Sequence, residues 1–145
     1  PGSDKFAYKM RWLDALRDWV QAEMQKHPKL ALLGDYNITF DDLDVWDPEG
    51  MRETIHCTTE ERTHLQALIG LGLHDAVRLF PQPEKNYSWW DYRDFAFRRK
   101  RGLRIDHILI TDALKARASA CAVDPTPRKN ERPSDHAPVV LSLQA

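Results

Sequence analysis

Cysteine is scarce in this chain. Cys57 and Cys121 are the only two in 145 residues, with no CxxC pair and no metal-type spacing. That excludes a disulfide-built scaffold and a zinc site of the ribbon type, and it reads as two free thiols in a reducing, cytoplasmic setting. No apolar run approaches the roughly 20 residues of a membrane-spanning helix, and no signal-peptide pattern is visible, so no membrane partner is expected. Internal repeats, low-complexity tracts and evident linkers are absent, which suits a single domain over residues 1–145. An excess of one charge is absent too: 21 Lys and Arg against 22 Asp and Glu leave a net −1. The acids at Asp41, Asp42, Asp44, Asp47 and Glu49 lack the Asp-x-Asp-x-Asp-Gly order of a calcium loop and read as a solvated loop.

What is present is strongly patterned. Between residues 4 and 25, Phe6, Met10, Leu13, Leu16, Val20 and Met24 recur at helical spacing, with Ser3 or Asp4 as N-cap and His27-Pro28 as the stop. Leu30-Ala31-Leu32-Leu33 is apolar without alternation, as expected of a strand buried on both faces, and runs into Gly34-Asp35-Tyr36-Asn37. Thr58 with Glu61 forms a capping-box pattern opening a helix through Leu65, Leu68 and Ile69, which ends near Gly70-Leu71-Gly72. Residues 73–80 read as extended, 87–90 as a strand, and 102–110 as one continuous strand. A short helical turn follows Thr111-Asp112, and residues 117–123 and 137–143 complete the strands. Helices and strands mixed in this way make an α/β fold.

Chemistry collects at strand ends. Asp35 with Asn37, Asp106, and Asp135 with His136 each adjoin a strand, the place where α/β proteins concentrate functional groups. Hard oxygen donors without a Cys/His set suit Mg²⁺, or Mn²⁺ in its place, and a cation with a base and amide donors around phosphorus makes a phosphodiesterase. In that arrangement a carboxylate holds the His136 imidazole, and Asp106 is the candidate. Asp35 can orient or deprotonate water or protonate the leaving oxygen, and Asn37 can donate to a phosphate oxygen. The balanced net charge also conceals a basic run: Arg93, Arg98, Arg99, Lys100, Arg101 and Arg104 stand against Asp94, directly after Tyr87-Ser88-Trp89-Trp90-Asp91-Tyr92. Cations beside aromatics hold phosphates and stack on bases or sugars. Parity puts one of Trp89 and Trp90 in the core without saying which.

The order Gly34-Asp35-Tyr36-Asn37, Tyr87-Ser88-Trp89-Trp90-Asp91-Tyr92-Arg93, Gly102-Leu103-Arg104-Ile105-Asp106, Pro133-Ser134-Asp135-His136-Ala137-Pro138-Val139 resembles bacterial exonuclease III, of the endonuclease/exonuclease/phosphatase superfamily. The resemblance implies the C-terminal half of a DNase I-like α/β sandwich, with a mixed or antiparallel sheet flanked by helices. It implies a bacterial, Mg²⁺-dependent enzyme that incises DNA 5′ to abasic sites and trims 3′ ends of duplex DNA. By that resemblance Asp35 is the acid/base residue, Asn37 the phosphate contact and Asp106 the partner of His136, with Asp35, Asn37 and Asp135 around the metal. Trp89 and Leu103 wall the abasic-sugar pocket, and Arg93, Arg98, Arg99, Lys100 and Arg101 lie near the DNA backbone.

The family's first half is unmatched here, including a metal-binding Glu for which Glu23, Glu49 and Glu60 are not substitutes. The expected partner is therefore that half, or a second copy covering an exposed apolar sheet face. The alternatives are a catalytically incomplete DNA-binding module or another phosphodiesterase or phosphatase of the superfamily. Relatives acting on phosphoinositides or sphingomyelin need no aromatic-basic segment like that of residues 87–104.

Overall fold

A computed structural model describes residues 3–145, of Asp94 the backbone alone. Helix α1 spans Asp4–Lys26, and its first turn is closed by Ser3, whose Oγ accepts from the Phe6 N–H. Its apolar stripe of Phe6, Met10, Leu13 and Val20 packs with α2, Thr59–Ile69, through Leu65 and Leu68. Both helices lie over Leu109 of β5, Asp106–Ile110, and the half-buried Leu32 of β1, Ala31–Asp35.

The main sheet is antiparallel in the order β1-β5-β2, with β2 reduced to His74–Asp75. On its other face Ile108 and Ile110 meet Ala76, Val77, Leu114 and Cys121, backed by Val139 and Leu141. Those last partners belong to a second antiparallel pair, β6 (Ala118–Val123) with β7 (Val139–Leu143). A third pair, β3 (Trp89–Trp90) with β4 (Gly102–Leu103), stands beside the site. Gly102 is required there by close approach: a Cβ would sit 2.5 Å from Trp90 Nε1 and 2.6 Å from Tyr87 Cβ. Cys57 and Cys121 are both buried free thiols. Among the described residues no helix is long and apolar enough to cross a membrane.

Four expectations are corrected. Strand β1 is not buried on both faces; β5, the central strand, is, while Leu33 of edge strand β1 is 65% exposed. Val140 and Leu143 of β7 are exposed as well, on alternate faces of that strand. Residues 73–80 are extended only at β2 and then coil into a 3₁₀ turn, Ala76–Leu79, whose Ala76 and Val77 fill the second core.

The single strand expected over 102–110 breaks between β4 and β5. There the Ser88 hydroxyl accepts from the Ile105 and Asp106 N–H groups, and the Arg104 N–H donates to the Asp44 carbonyl. Neither Arg104 nor Asp44 is solvated. Arg104 is fully buried, with Nε 2.7 Å from Asp44 Oδ1 and Nη2 2.6 Å from Asp75 Oδ2, and Arg78 Nη2 reaches Asp44 Oδ1 at 2.5 Å. Burial alone would raise the Asp44 carboxyl, but the Arg104 guanidinium beside it holds it below the usual carboxylate range.

The capping box forms as expected. Thr58 Oγ1 accepts from the Glu61 N–H at 3.0 Å while Glu61 Oε1 accepts from the Thr58 N–H at 3.3 Å. Thr58→Ala is expected to cost about 1–2 kcal/mol, because a helix cap is lost and a buried carboxylate loses a partner. The midpoint of urea unfolding checks this.

His107, on the opposite face of β5 from Asp106, is buried between Tyr36 and Phe40. Its Nε2–H donates to the Ile38 carbonyl at 2.7 Å, and its Nδ1 accepts from Arg104 Nη1 at 3.2 Å. Burial, then the neighbouring guanidinium, push its pKa down to about 4. The unfolded chain therefore takes up a proton near pH 6.5 that the native state refuses until about pH 4. Stability from this group is full above pH 6.5 and falls by roughly 3 kcal/mol as pH drops through that window. Unfolding free energies at pH 7.5 and 4.5 check it: the difference should shrink in His107→Gln.

Candidate active site

The register Asp35↔Asp106 places the C-terminal end of β1 opposite the first residue of β5, so the two carboxylates share one face of the sheet. Between Leu33 and Asn37 the chain leaves the strand. Gly34 adopts φ 147°, open to glycine without strain, and Asn37 takes a left-handed φ of 55°, which Asn tolerates better than most residues. The Asn37 N–H donates to Asp35 Oδ1 at 2.9 Å, an Asx turn that fixes this carboxylate.

The Asn37 carbonyl, in turn, lies 2.8 Å from Lys9 Nζ and 2.6 Å from His56 Nδ1, and both can donate to it. Lys9 continues to Glu61 Oε2 at 2.5 Å, so the α2 capping box and α1 together brace this turn. No periodicity or motif pointed to Lys9 or His56; their roles come from tertiary contacts alone. Burial pushes the His56 pKa down, favouring the neutral ring.

The Ser134-Asp135-His136 turn is pinned to β3 from several directions. Ala137 N–H donates to the Ser88 carbonyl at 2.7 Å, Trp90 N–H to the Asp135 carbonyl at 3.1 Å, and Trp89 Nε1 to Asp135 Oδ2 at 3.0 Å. This also resolves the tryptophan parity. Trp90 is 5% exposed and packs with Tyr87, Ala96 and Ala137, while Trp89 is half-buried and faces the site.

His136 stands at the meeting point of three acids. Its Nδ1–H donates to Asp106 Oδ2 at 2.9 Å, and its Nε2 lies 3.6 Å from Asp35 Oδ2 and 3.8 Å from Asp135 Oδ1. Burial works against a charge on the ring, but the hydrogen bond to Asp106 and the Asp106, Asp35 and Asp135 carboxylates outweigh it and raise the pKa. Burial raises the Asp106 carboxyl as well, against the pull of its His136 and Ser88 hydrogen bonds.

Donor atoms of Asp35, Asp106 and His136 lie within 4.8 Å of one another. Two bonds of about 2.1 Å span most of that distance, so the cluster fits one hard divalent cation, its carboxylate oxygens being the preferred ligands. Of the residues expected around a metal, Asp35 is in this group; Asn37 is fixed beside it through its N–H to Asp35 Oδ1, and Asp135 Oδ1 lies 3.8 Å from His136 Nε2. Asp135 gives its other oxygen to Trp89.

Beside the cluster, Trp89 and Leu103 line a cavity of about 300 Å³ with Trp46, Met51, Arg93 and Arg101. Leu103 has only its rim there, since 1% of it is exposed and its body packs on Val45, Cys57 and Ile105. Arg98, Arg99, Lys100 and Arg101 are exposed, Arg101 lying 5.1 Å above the Trp46 ring. Arg93 is exposed and paired with Asp91. Arg104 is the one cation of the expected run that the fold withdraws from the surface.

Known proteins resemble the chain in sequence and in fold. The chain is 37% identical over 142 residues to exodeoxyribonuclease III of Haemophilus influenzae, covering 93% of this chain and 53% of the relative. A solved 3′ phosphatase from Neisseria bound to a product DNA hairpin is 46% identical with a TM-score of 0.96, over 99% of this chain and 56% of that one. An AP endonuclease from Archaeoglobus fulgidus is 32% identical with a TM-score of 0.91, again over 99% and 56%. The fold is thus the DNase I-like α/β type, and the chain spans about half the length of the curated relatives it matches. The match to a family description runs from residue 1 to residue 136, taking in every element up to the His136 turn, and the chain belongs to the endonuclease/exonuclease/phosphatase family.

Proposed function

We propose that this chain carries the catalytic imidazole and acid/base carboxylate of a Mg²⁺-dependent DNA-repair phosphodiesterase of exonuclease III type. Its substrates are abasic sites and 3′ ends of duplex DNA, and Mn²⁺ replaces Mg²⁺. The carrying observation is that His136 Nδ1 is anchored on Asp106 while Nε2 is flanked by Asp35 Oδ2 and Asp135 Oδ1. An imidazole so surrounded favours its charged form and offers an N–H to a phosphoryl oxygen.

Water adds to phosphorus as the bond to the leaving oxygen breaks. Asp35, fixed by the Asn37 N–H, moves the proton from the water toward the leaving oxygen. Asp35 and Asp106, with Asp135 and Asn37 adjacent, would hold the cation, which supplies Lewis-acid stabilisation of charge on the phosphoryl group. Arg93, Arg98, Arg99, Lys100 and Arg101 attach the DNA backbone, and the Trp89–Leu103 cavity takes the exposed sugar. The exposed apolar side chains Leu33 of β1 and Val140 of β7, 65% and 53% exposed, support a further element of this reading: the other half of the sandwich, or a second copy, covers them.

The test is hydrolysis by the intact protein of duplexes carrying an abasic site, a 3′ phosphate or a plain 3′ end, with Mg²⁺ or with EDTA. Cleavage of at least one duplex that EDTA abolishes and Mg²⁺ restores is expected. Absence of cleavage of all three in Mg²⁺, or cleavage indifferent to EDTA, would overturn the reading.

A further inference from the structure

Arg128 is a buried cation in an unusual place. It is 8% exposed, and its guanidinium carbon lies 4.8 Å from the Phe97 ring centre, 5.6 Å from Tyr92 and 5.8 Å from Trp90. Phe97 and Tyr92 belong to the segment that carries the exposed cations, and Trp90 to β3. Its Nη1 donates to the Ser134 carbonyl at 2.8 Å, while its Nε is buried without a hydrogen-bond partner. A guanidinium left short of one bond is an unfavourable element for a core to keep. A purely apolar residue would fill the aromatic box without that cost, so the position points to a requirement for the donor.

That donor acts on the turn bearing Asp135 and His136. Tyr92 Oη donates to the Pro133 carbonyl at 2.8 Å, Arg128 to the Ser134 carbonyl, and the Trp90 N–H to the Asp135 carbonyl at 3.1 Å. Three successive carbonyls are thereby held by the aromatic-basic segment and the side chain stacked within it. Ala137, the residue after His136, packs in the same cluster as Trp90 and Ala96. Nothing else in the described residues ties the carbonyl of Ser134 down.

We infer that Arg128 is a positioning residue: stacked in the Trp90–Tyr92–Phe97 box, it fixes the Ser134 carbonyl and so sets the position of Asp135 and His136, joining the DNA-facing segment to the reacting centre. The inference rests on the function proposed above for His136. Lysine is no equivalent, because it lacks the planar group that stacks and donates at once. A displacement of about 1 Å at a reacting group can lower a rate by about 10²-fold.

The experiment compares wild type, Arg128→Met, Arg128→Lys and, as a control, the exposed neighbour Lys129→Met. Each is assayed as the intact protein on abasic and 3′-phosphate duplexes with Mg²⁺, alongside the ring ¹⁵N–¹H signals of His136. Both Arg128 variants are expected to lose about tenfold or more in kcat with KM within about threefold, and to displace the His136 Nδ1–H signal; Lys129→Met should do neither. A folded Arg128 variant with unchanged kcat and an unmoved ring signal would overturn the inference, as would a loss confined to KM. If Arg128→Met does not fold, Arg128→Lys is read alone. If the wild type is inert on every duplex, the proposed function fails, and the ring signal decides this inference by itself: displaced it stands, unmoved it falls.

Discussion

His136→Ala is expected to lower the proposed phosphodiester hydrolysis by about 10²–10⁴-fold, the range that a positioned acid/base or charge-stabilising group supplies. Duplex DNA should still bind within a few-fold, because the aromatic-basic segment proposed to attach the backbone is untouched. The argument lies in the ring's two nitrogens. Nδ1–H is spent on Asp106, so only Nε2 faces the space between Asp35 and Asp135.

Asp106→Asn tests the same arrangement from behind. The amide is nearly isosteric but uncharged, and its NH₂ can invert the hydrogen bond and the ring tautomer; a fall of similar order is expected. The sign of the accompanying pH effect follows. Asp106 raises the His136 pKa, so removing its charge moves that pKa down, and the residual activity should require a lower pH for a charged ring. Steady-state kcat and KM across pH check both variants, and a loss below tenfold in His136→Ala would remove the imidazole from the reaction.

The second large effect is on stability. Arg104→Met should destabilise the fold by about 3–5 kcal/mol, because it strands a buried carboxylate rather than a surface one. Asp44 has no exposed side chain, and with Arg104 gone it keeps only the partly exposed Arg78 and the Phe40 N–H. Asp75 loses its partner as well. Against a typical domain stability of about 5–15 kcal/mol, this is enough to shift the unfolding midpoint strongly. Chemical denaturation of the two proteins checks it. Changing Arg104 and Asp44 together to apolar residues should cost far less than Arg104→Met, since a buried pair replaced by well-packed apolar groups is often near neutral.

The contrast between the His136 cluster and the buried Arg104 shows what could be read from residue order. Asp35, Asp106 and His136 stood out because short polar segments interrupt strand-like runs, and a strand end has a definite place in a sheet. The capping box was legible for a similar reason: Thr58 and Glu61 interact across one helical turn. Arg104 was not legible. It sits in a run of cations that looks uniformly solvated, and only the partners Asp44 and Asp75, both remote in sequence, draw it inside. The unbroken strand expected over 102–110 failed for the same reason, since the break is made by Ser88 and Asp44 rather than by a Gly or Pro. The burial expected of β1 on both faces belongs instead to β5, because an apolar run states how much can be buried and not which strand lies in the middle.

The pairing of β1 with β5 has a consequence for the order of events in folding. Helix α1, the α2 capping box and the Asx turn at Asp35 each form from contacts within a few residues. The Asp35↔Asp106 register closes a loop that encloses nearly half of the chain, and contacts of that kind come late because the closure entropy must be met first. The imidazole is later still, since it needs both the sheet and the β3 scaffold in place. A partly folded chain therefore has helices but no gathered carboxylates. The carboxylate–imidazole cluster is thus completed only with the long-range pairing of the sheet.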